Sequence, residues 1–127
     1  MLDWLEADLK AANANRAQRP WIVAYGHKLY WMVSWNNTED IFHKYGVDVY
    51  LGGHVHNYIR AFPTYKDGGT LNVDTATASD DNHTYTDPKY MVSLVAGSPG
   101  CKEKIAKNGG PQGTTVVQDN TYGYGHL

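Results

Sequence analysis

Trp21-Ile22-Val23-Ala24-Tyr25-Gly26-His27 and Val47-Asp48-Val49-Tyr50-Leu51-Gly52-Gly53-His54-Val55-His56 are the two stretches that decide the fold. Each opens as a short, β-branched, largely apolar run and closes on glycine followed by histidine. A run of this length that is apolar on both faces suits a buried strand of a covered sheet, so two buried strands are expected, over 21–25 and 47–51. Between them, Thr38 is expected to cap a short helix with Glu39 and Asp40 at its positive end. Ile41, Phe42 and Tyr45 would form its buried side and Gly46 its stop. Upstream, Leu2, Leu5, Leu9 and Ala12 recur at helical spacing with Asp3, Glu6, Asp8 and Lys10 between them, which predicts an amphipathic helix broken before Pro20. Helix, strand, helix, strand in that order argues for the α/β class, with parallel strands and helices packed on the sheet.

Beyond residue 57 the pattern changes. Tyr58 to Tyr65 predicts a strand in which Pro63 marks an edge or a bend. Asp67-Gly68-Gly69 is a turn signal, with Thr70 to Val73 returning as a hairpin. Residues 74–90 are rich in Thr, Asp and Asn and read as a surface loop, in which Asp74, Asp80 and Asp81 are expected to be solvated. Tyr90 to Ala96 and Thr114 to Gln118 are the remaining expected strands, joined by a Gly-, Lys- and Asn-rich loop over 97–113. No internal repeat or low-complexity tract interrupts them.

The chain has 127 residues, 42% of them hydrophobic, enough for one small packed domain or a piece of a larger one. A net charge of −2 offers no basic field for a nucleic-acid backbone. No window approaches the roughly 20 apolar residues of a membrane span. The opening residues lack the basic and apolar regions of a signal peptide. Asn36-Asn37-Thr38 and Asn82-His83-Thr84 are glycosylation sequons, which lean toward a secreted protein with Asn36 and Asn82 as acceptors. Cys101 is the only cysteine and forms no disulfide within the chain.

The chemistry lies in the histidines at the strand ends. In open α/β sheets, ligands gather beyond the carboxyl ends of the strands, where the loops converge. Glycine before each histidine lets backbone approach an ion closely. If the segment after the second strand is extended, His54 and His56 point to one side, because side chains alternate along it. The imidazoles can then serve one ion together or two adjacent ions separately, and neutral imidazole suits zinc, iron and similar borderline metals. His27 taken alone reads as a hydrogen-bonded loop residue, and His-x-His alone is a weak motif. Two strands that both end in Gly-His are the sharper signal. His43, on the short helix, reads as a packing or surface residue, and His83 and His126 as solvated. Trp31, Trp35 and Tyr58 suit either a substrate mouth or core packing.

The segments Arg19 to His27 and Tyr45 to Tyr58 resemble the fourth and fifth metal-binding blocks of purple acid phosphatases, in the calcineurin-like metallophosphoesterase superfamily. Trp4-Leu5, Ala96-Gly97-Ser98-Pro99-Gly100-Cys101 and Tyr122-Gly123-Tyr124 are also similar to that family's text, in its animal branch. The resemblance implies the C-terminal half of a metallophosphoesterase-type α/β sandwich of four layers with mixed sheets, residues 1–127 being an incomplete catalytic domain. It further implies acid phosphatase chemistry: two-metal hydrolysis of phosphate monoesters by a metal-bound hydroxide, in a secreted or lysosomal protein. The implied cofactor is a binuclear centre of Fe(III) with Fe(II), Zn or Mn. By motif position His27 and His54 would hold the divalent metal and His56 the ferric ion.

Several features depart from the family's pattern. The first three metal blocks, with their Asp, Tyr, Asn and His ligands, have no counterpart here, and the chain alone is expected to be inactive. Lys28-Leu29-Tyr30 replaces the usual Arg-Pro-Met-Tyr, and Ile59 stands where Glu is usual. Half of a sandwich would expose strand edges, so self-association or docking of a missing N-terminal half is expected. The alternative is a non-catalytic secreted binding module that kept the fold. A His-x-His amidohydrolase barrel would need roughly 200 residues or more.

Overall fold

The computed structural model describes residues 1–30, 37–67, 69–81, 84–100, 104–105 and 114–124. Helix α1 (Leu2–Ala14) leads to strand β1 (Val23–Tyr25), and helix α2 (Thr38–Lys44) to strand β2 (Val49–Gly52). Strands β3 (Tyr58–Ala61), β4 (Thr64–Asp67), β5 (Thr70–Val73), β6 (Val92–Ala96) and β7 (Thr115–Asp119) follow. Five of the strands form one sheet in the order β1-β2-β6-β3-β7, and β4 pairs with β5 as an antiparallel hairpin. β1, β2 and β6 run parallel, while β3 is antiparallel to both β6 and β7. The expected α/β class and the parallel pairing of the first two strands are therefore present, within a mixed sheet.

Both helices pack on one face of the sheet. Leu9 of α1 and Phe42 of α2 meet Tyr50 of β2, together with Ile22, Tyr30, Val47 and Met91, and Leu5, Ala12, Ala24, Ile41 and Tyr45 pack around them. Rings of Tyr30, Phe42 and Tyr50 lie with centroids 5.8–6.5 Å apart, distances at which aromatic pairs attract. A smaller cluster of Leu29, Ile59 and Val95, with Val55 against it, sits near the ends of β2 and β6. Ile59 is therefore a fully buried core residue.

Short connections fix these elements. Gly46 has φ +65°, the left-handed geometry that ends α2, and its N–H donates to His43 O while that of Val47 donates to Phe42 O. Arg16, just past α1, donates to Pro20 O at 2.7 Å, to Asp48 Oδ2 at 2.9 Å and to Gly46 O. Asp48 Oδ2 in turn accepts the Ile22 N–H at 2.7 Å, so one ion pair pins the entrance to β1 against the entrance to β2.

Four expectations need correction. β1 is an edge strand that starts at Val23 and is not buried: Val23 is 44% and Tyr25 85% exposed. Apolar composition named the strand, but among the described residues only β2 pairs with it. The stretch 58–65 is two strands in two sheets, because the chain turns at Phe62-Pro63. Asn37, at φ 60°, rather than Thr38 takes the cap position of α2. Asp74 is buried, not solvated: it accepts the Lys89 N–H at 2.9 Å, and that bond holds its carboxyl below the usual range.

Candidate metal centre

Parallel β1, β2 and β6 all end on one side of the sheet, β3 begins there, and β7 ends there. His27 follows β1, and His54 and His56 bridge β2 to β3. The structure brings His27 and His54 together: Nε2 of His27 lies 3.1 Å from Nδ1 of His54, with ring centroids 5.1 Å apart and the rings at 78°. Both rings face solvent. His56 is close enough for its charge to act on His54.

The path from β2 to β3 is not extended, so alternation is not what orients these rings. His54 has φ 67°, a left-handed conformation that non-glycine residues seldom adopt and that concentrates at functional sites. The next bonds are tight, with Val55 N–H to Gly53 O at 2.8 Å and Asn57 N–H to Val55 O at 2.9 Å. Two tight turns, rather than a strand, carry His54 and His56.

Both turns are held from below. Tyr50 OH donates to Lys28 O at 2.8 Å, Gly53 N–H donates to His27 O at 3.1 Å, and Leu29 is fully buried beneath them. A Cβ at Gly26 would lie 2.7 Å from Tyr50 Oη, and a Cβ at Gly97 would lie 1.9 Å from Val55 O. Gly97 therefore lets the end of β6 pass under the loop that carries the second and third imidazoles, and its N–H donates to Asn57 O at 3.0 Å. The Lys28 ammonium, helped by partial desolvation and then by His27 and His56, holds the His54 imidazolium below its usual pKa. Neutral imidazole is the form that binds a metal.

Two neutral imidazoles at this separation suit one borderline divalent ion. Among the described residues no group of three or more His, Cys, Asp or Glu is placed around a single ion. A ferric ion, which prefers anionic oxygen, is not fitted by imidazoles alone. Asp48 is taken by Arg16, and Asp74 by Lys89. His43 stacks on Tyr65 at 4.0 Å, which makes it a packing residue. Asn36, Asn82, His83, Cys101, His126, Trp31 and Trp35 lie outside the described residues. Sequence reasoning missed the supporting roles of Gly97 and Tyr50. Gly97 left one signal, a glycine directly after a strand, and Tyr50 left none.

The calcineurin-like phosphoesterase family matches residues 2–58. Acid phosphatase type 7 of Homo sapiens is 33% identical over 98% of this chain, and that of Danio rerio is also 33% identical over 98%. The chain spans about a third of the length of these curated relatives, 32% of each. Among solved structures, the purple acid phosphatase from yellow lupin (Lupinus luteus) seeds shares the fold with a TM-score of 0.71 at 21% identity, over 97% of this chain and 22% of that one. Among the described residues no helix is long and apolar enough to cross a membrane. Residues 2–58 thus match a calcineurin-like phosphoesterase domain, and over nearly its whole length the chain is similar to part of the acid phosphatases.

Proposed function

We propose that this chain supplies the histidine side of a two-metal centre that hydrolyses phosphate monoesters. The observation that carries this reading is the 3.1 Å approach of His27 and His54 across neighbouring strand ends. In it, His27 and His54 hold a divalent iron, zinc or manganese ion, and His56 contributes to a neighbouring ferric ion. The bound metals supply charge stabilisation at phosphorus and a nucleophilic hydroxide at moderate pH. The chain's own part is to present neutral imidazoles, with Lys28 opposing protonation of His54. The carboxylates that a ferric ion prefers come, in this reading, from a further part of the catalytic domain, so these residues alone do not turn over substrate.

Relatives named as acid phosphatases support the reaction class. Secretion or a lysosomal location, with glycans on Asn36 and Asn82, belongs to the same proposal, as does self-association through the open edge of β1. Calorimetric zinc titration of the chain tests the centre. We expect saturable binding that weakens at least about tenfold in His27→Ala and in His54→Ala. A folded chain that takes up no zinc would instead support the non-catalytic binding module. Turnover of a chromogenic phosphate monoester at about pH 5 with added iron and zinc, at a relative's rate, would overturn the claim that the chain is inactive alone.

A further inference from the structure

On the far side of β6 from the imidazoles, the same end of the sheet carries a concavity of about 180 Å³. Tyr58, Ala96, Ser98, Asp119, Gly123 and Tyr124 form its walls. Strand register builds it: Tyr58 opens β3 opposite Ala96 of β6 on one side and Asp119 of β7 on the other. The Gly123 N–H then donates to Ser98 O at 2.8 Å and folds the segment after β7 back against the end of β6. Such a volume equals that of about six water molecules, room for one planar ring and its substituents.

The chemistry of the walls narrows the occupant. Tyr58 and Tyr124, the two aromatic residues of the lining, favour a flat ring. Asp119 Oδ1 accepts the Thr121 N–H at 2.9 Å, and a carboxylate has capacity for further donors on its second oxygen. That carboxylate disfavours a ligand group carrying negative charge. Neighbouring strands lie about 4.8 Å apart, so the order β2-β6-β3 sets the cavity on the order of 10 Å from His54.

We infer that this cavity binds the far end of the substrate's alcohol: a flat, neutral or cationic ring bearing an N–H donor. That the ring belongs to the substrate's alcohol rests on the phosphatase reading, whereas ring binding at Tyr58, Tyr124 and Asp119 does not. Adenosine, which has such a ring and no phosphate, is the probe, and benzoate, a flat anion, is its control. In nuclear magnetic resonance titrations of the chain, adenosine is expected to move the Tyr58, Asp119 and Tyr124 amides saturably, and benzoate is not. Tyr124→Ala and Asp119→Asn should each weaken adenosine about tenfold. Tyr124 is 92% exposed, so its truncation leaves the fold intact.

The inference is overturned if adenosine produces no saturable shift up to about 10 mM, if benzoate binds equally well, or if Tyr124→Ala binds adenosine as tightly as the parent. Zinc titration of the same samples separates the two readings. Zinc uptake without adenosine binding removes the cavity's role and leaves the metal centre. Adenosine binding without zinc uptake upholds the cavity as a ring site and removes the phosphatase reading.

Discussion

The two strand ends that carry the histidines share a glycine-histidine sequence and sit in opposite surroundings. β2 lies inside the sheet between β1 and β6, and its exit is fixed largely by backbone: Gly53 bonds to His27 O, and Gly97 passes beneath Val55. β1 lies at the edge with Tyr25 open to solvent. Its exit adds to the backbone bonds Gly26 N–H to Leu51 O and Gly53 N–H to His27 O two side-chain supports, Tyr50 OH beneath Lys28 O and buried Leu29. The same local sequence therefore gives one imidazole-bearing turn that backbone contacts determine and another that depends on removable side chains as well as on backbone bonds. Changes at the second should move His27 without moving His54 and His56.

The sharpest way to break the interior end is Gly97→Ala. The new methyl would sit 1.9 Å from a carbonyl oxygen of the backbone, which no rotamer relieves. A loss of about 3 kcal/mol or more in denaturant unfolding is expected, with displacement of the His54 and His56 rings. Stability equal to the parent's would mean that this end is not fixed by backbone contact.

Next in size is a pH effect from α2, the crossover that joins the two ends. Glu39 is 5% exposed, and burial, aided by Asp40 and opposed by Lys66, pushes its carboxyl up to about 7. A raised carboxyl binds its proton more tightly folded than unfolded, so the folded state loses stability as pH rises from about 4.5 to about 7, by at most about 1.4 kcal/mol per pH unit. Glu39→Gln should flatten that stretch of the profile in urea melts, raising stability at neutral pH and changing little in acid. A slope unchanged by the substitution would assign it to other groups.

The helices, the parallel strands and the strand-end histidines were legible because periodicity, glycine and β-branching are local signals. Exposure was not legible. Apolar Trp21 to Tyr25 reads as buried whether or not a neighbour covers it, and only the sheet order reveals an edge. His54 and His56 were picked out by their spacing, yet the reason given, alternation along an extended segment, fails at φ 67°. The conformation comes from packing against Gly97, more than forty positions away in the chain, which no window of sequence contains. Buried Asp74 carries the same lesson, since a charged residue in a polar stretch reads as solvated.

A smaller effect should separate the two ends more cleanly. Arg16→Ala removes the guanidinium that joins Pro20 O, Gly46 O and Asp48, and leaves the Asp48 carboxylate with the Ile22 N–H alone. A cost of about 2 kcal/mol is expected. In hydrogen exchange, the amides of Ala24 and Gly26 should lose protection ahead of those of Val95 and Ile59. Uniform loss across the sheet would break the comparison between edge and interior.

The smallest change is Tyr50→Phe, which deletes one hydrogen bond to Lys28 O and costs about 1 kcal/mol. Its value lies in where the loss falls. The ring stays in the core with Phe42 and Tyr30, so β2 keeps its packing and His54 its turn. Only the turn after β1, which carries His27, loses a side-chain hydrogen bond, keeping its backbone bond from Gly53. Zinc affinity should fall modestly, by about fivefold, because His27 then samples positions away from His54. In a His27→Ala background the same substitution should have no further effect on zinc, while in a His56→Ala background it should retain its full effect. Equal effects in both backgrounds would mean that the hydroxyl supports the whole strand end, and that the edge imidazole has no separate dependence on side-chain contacts.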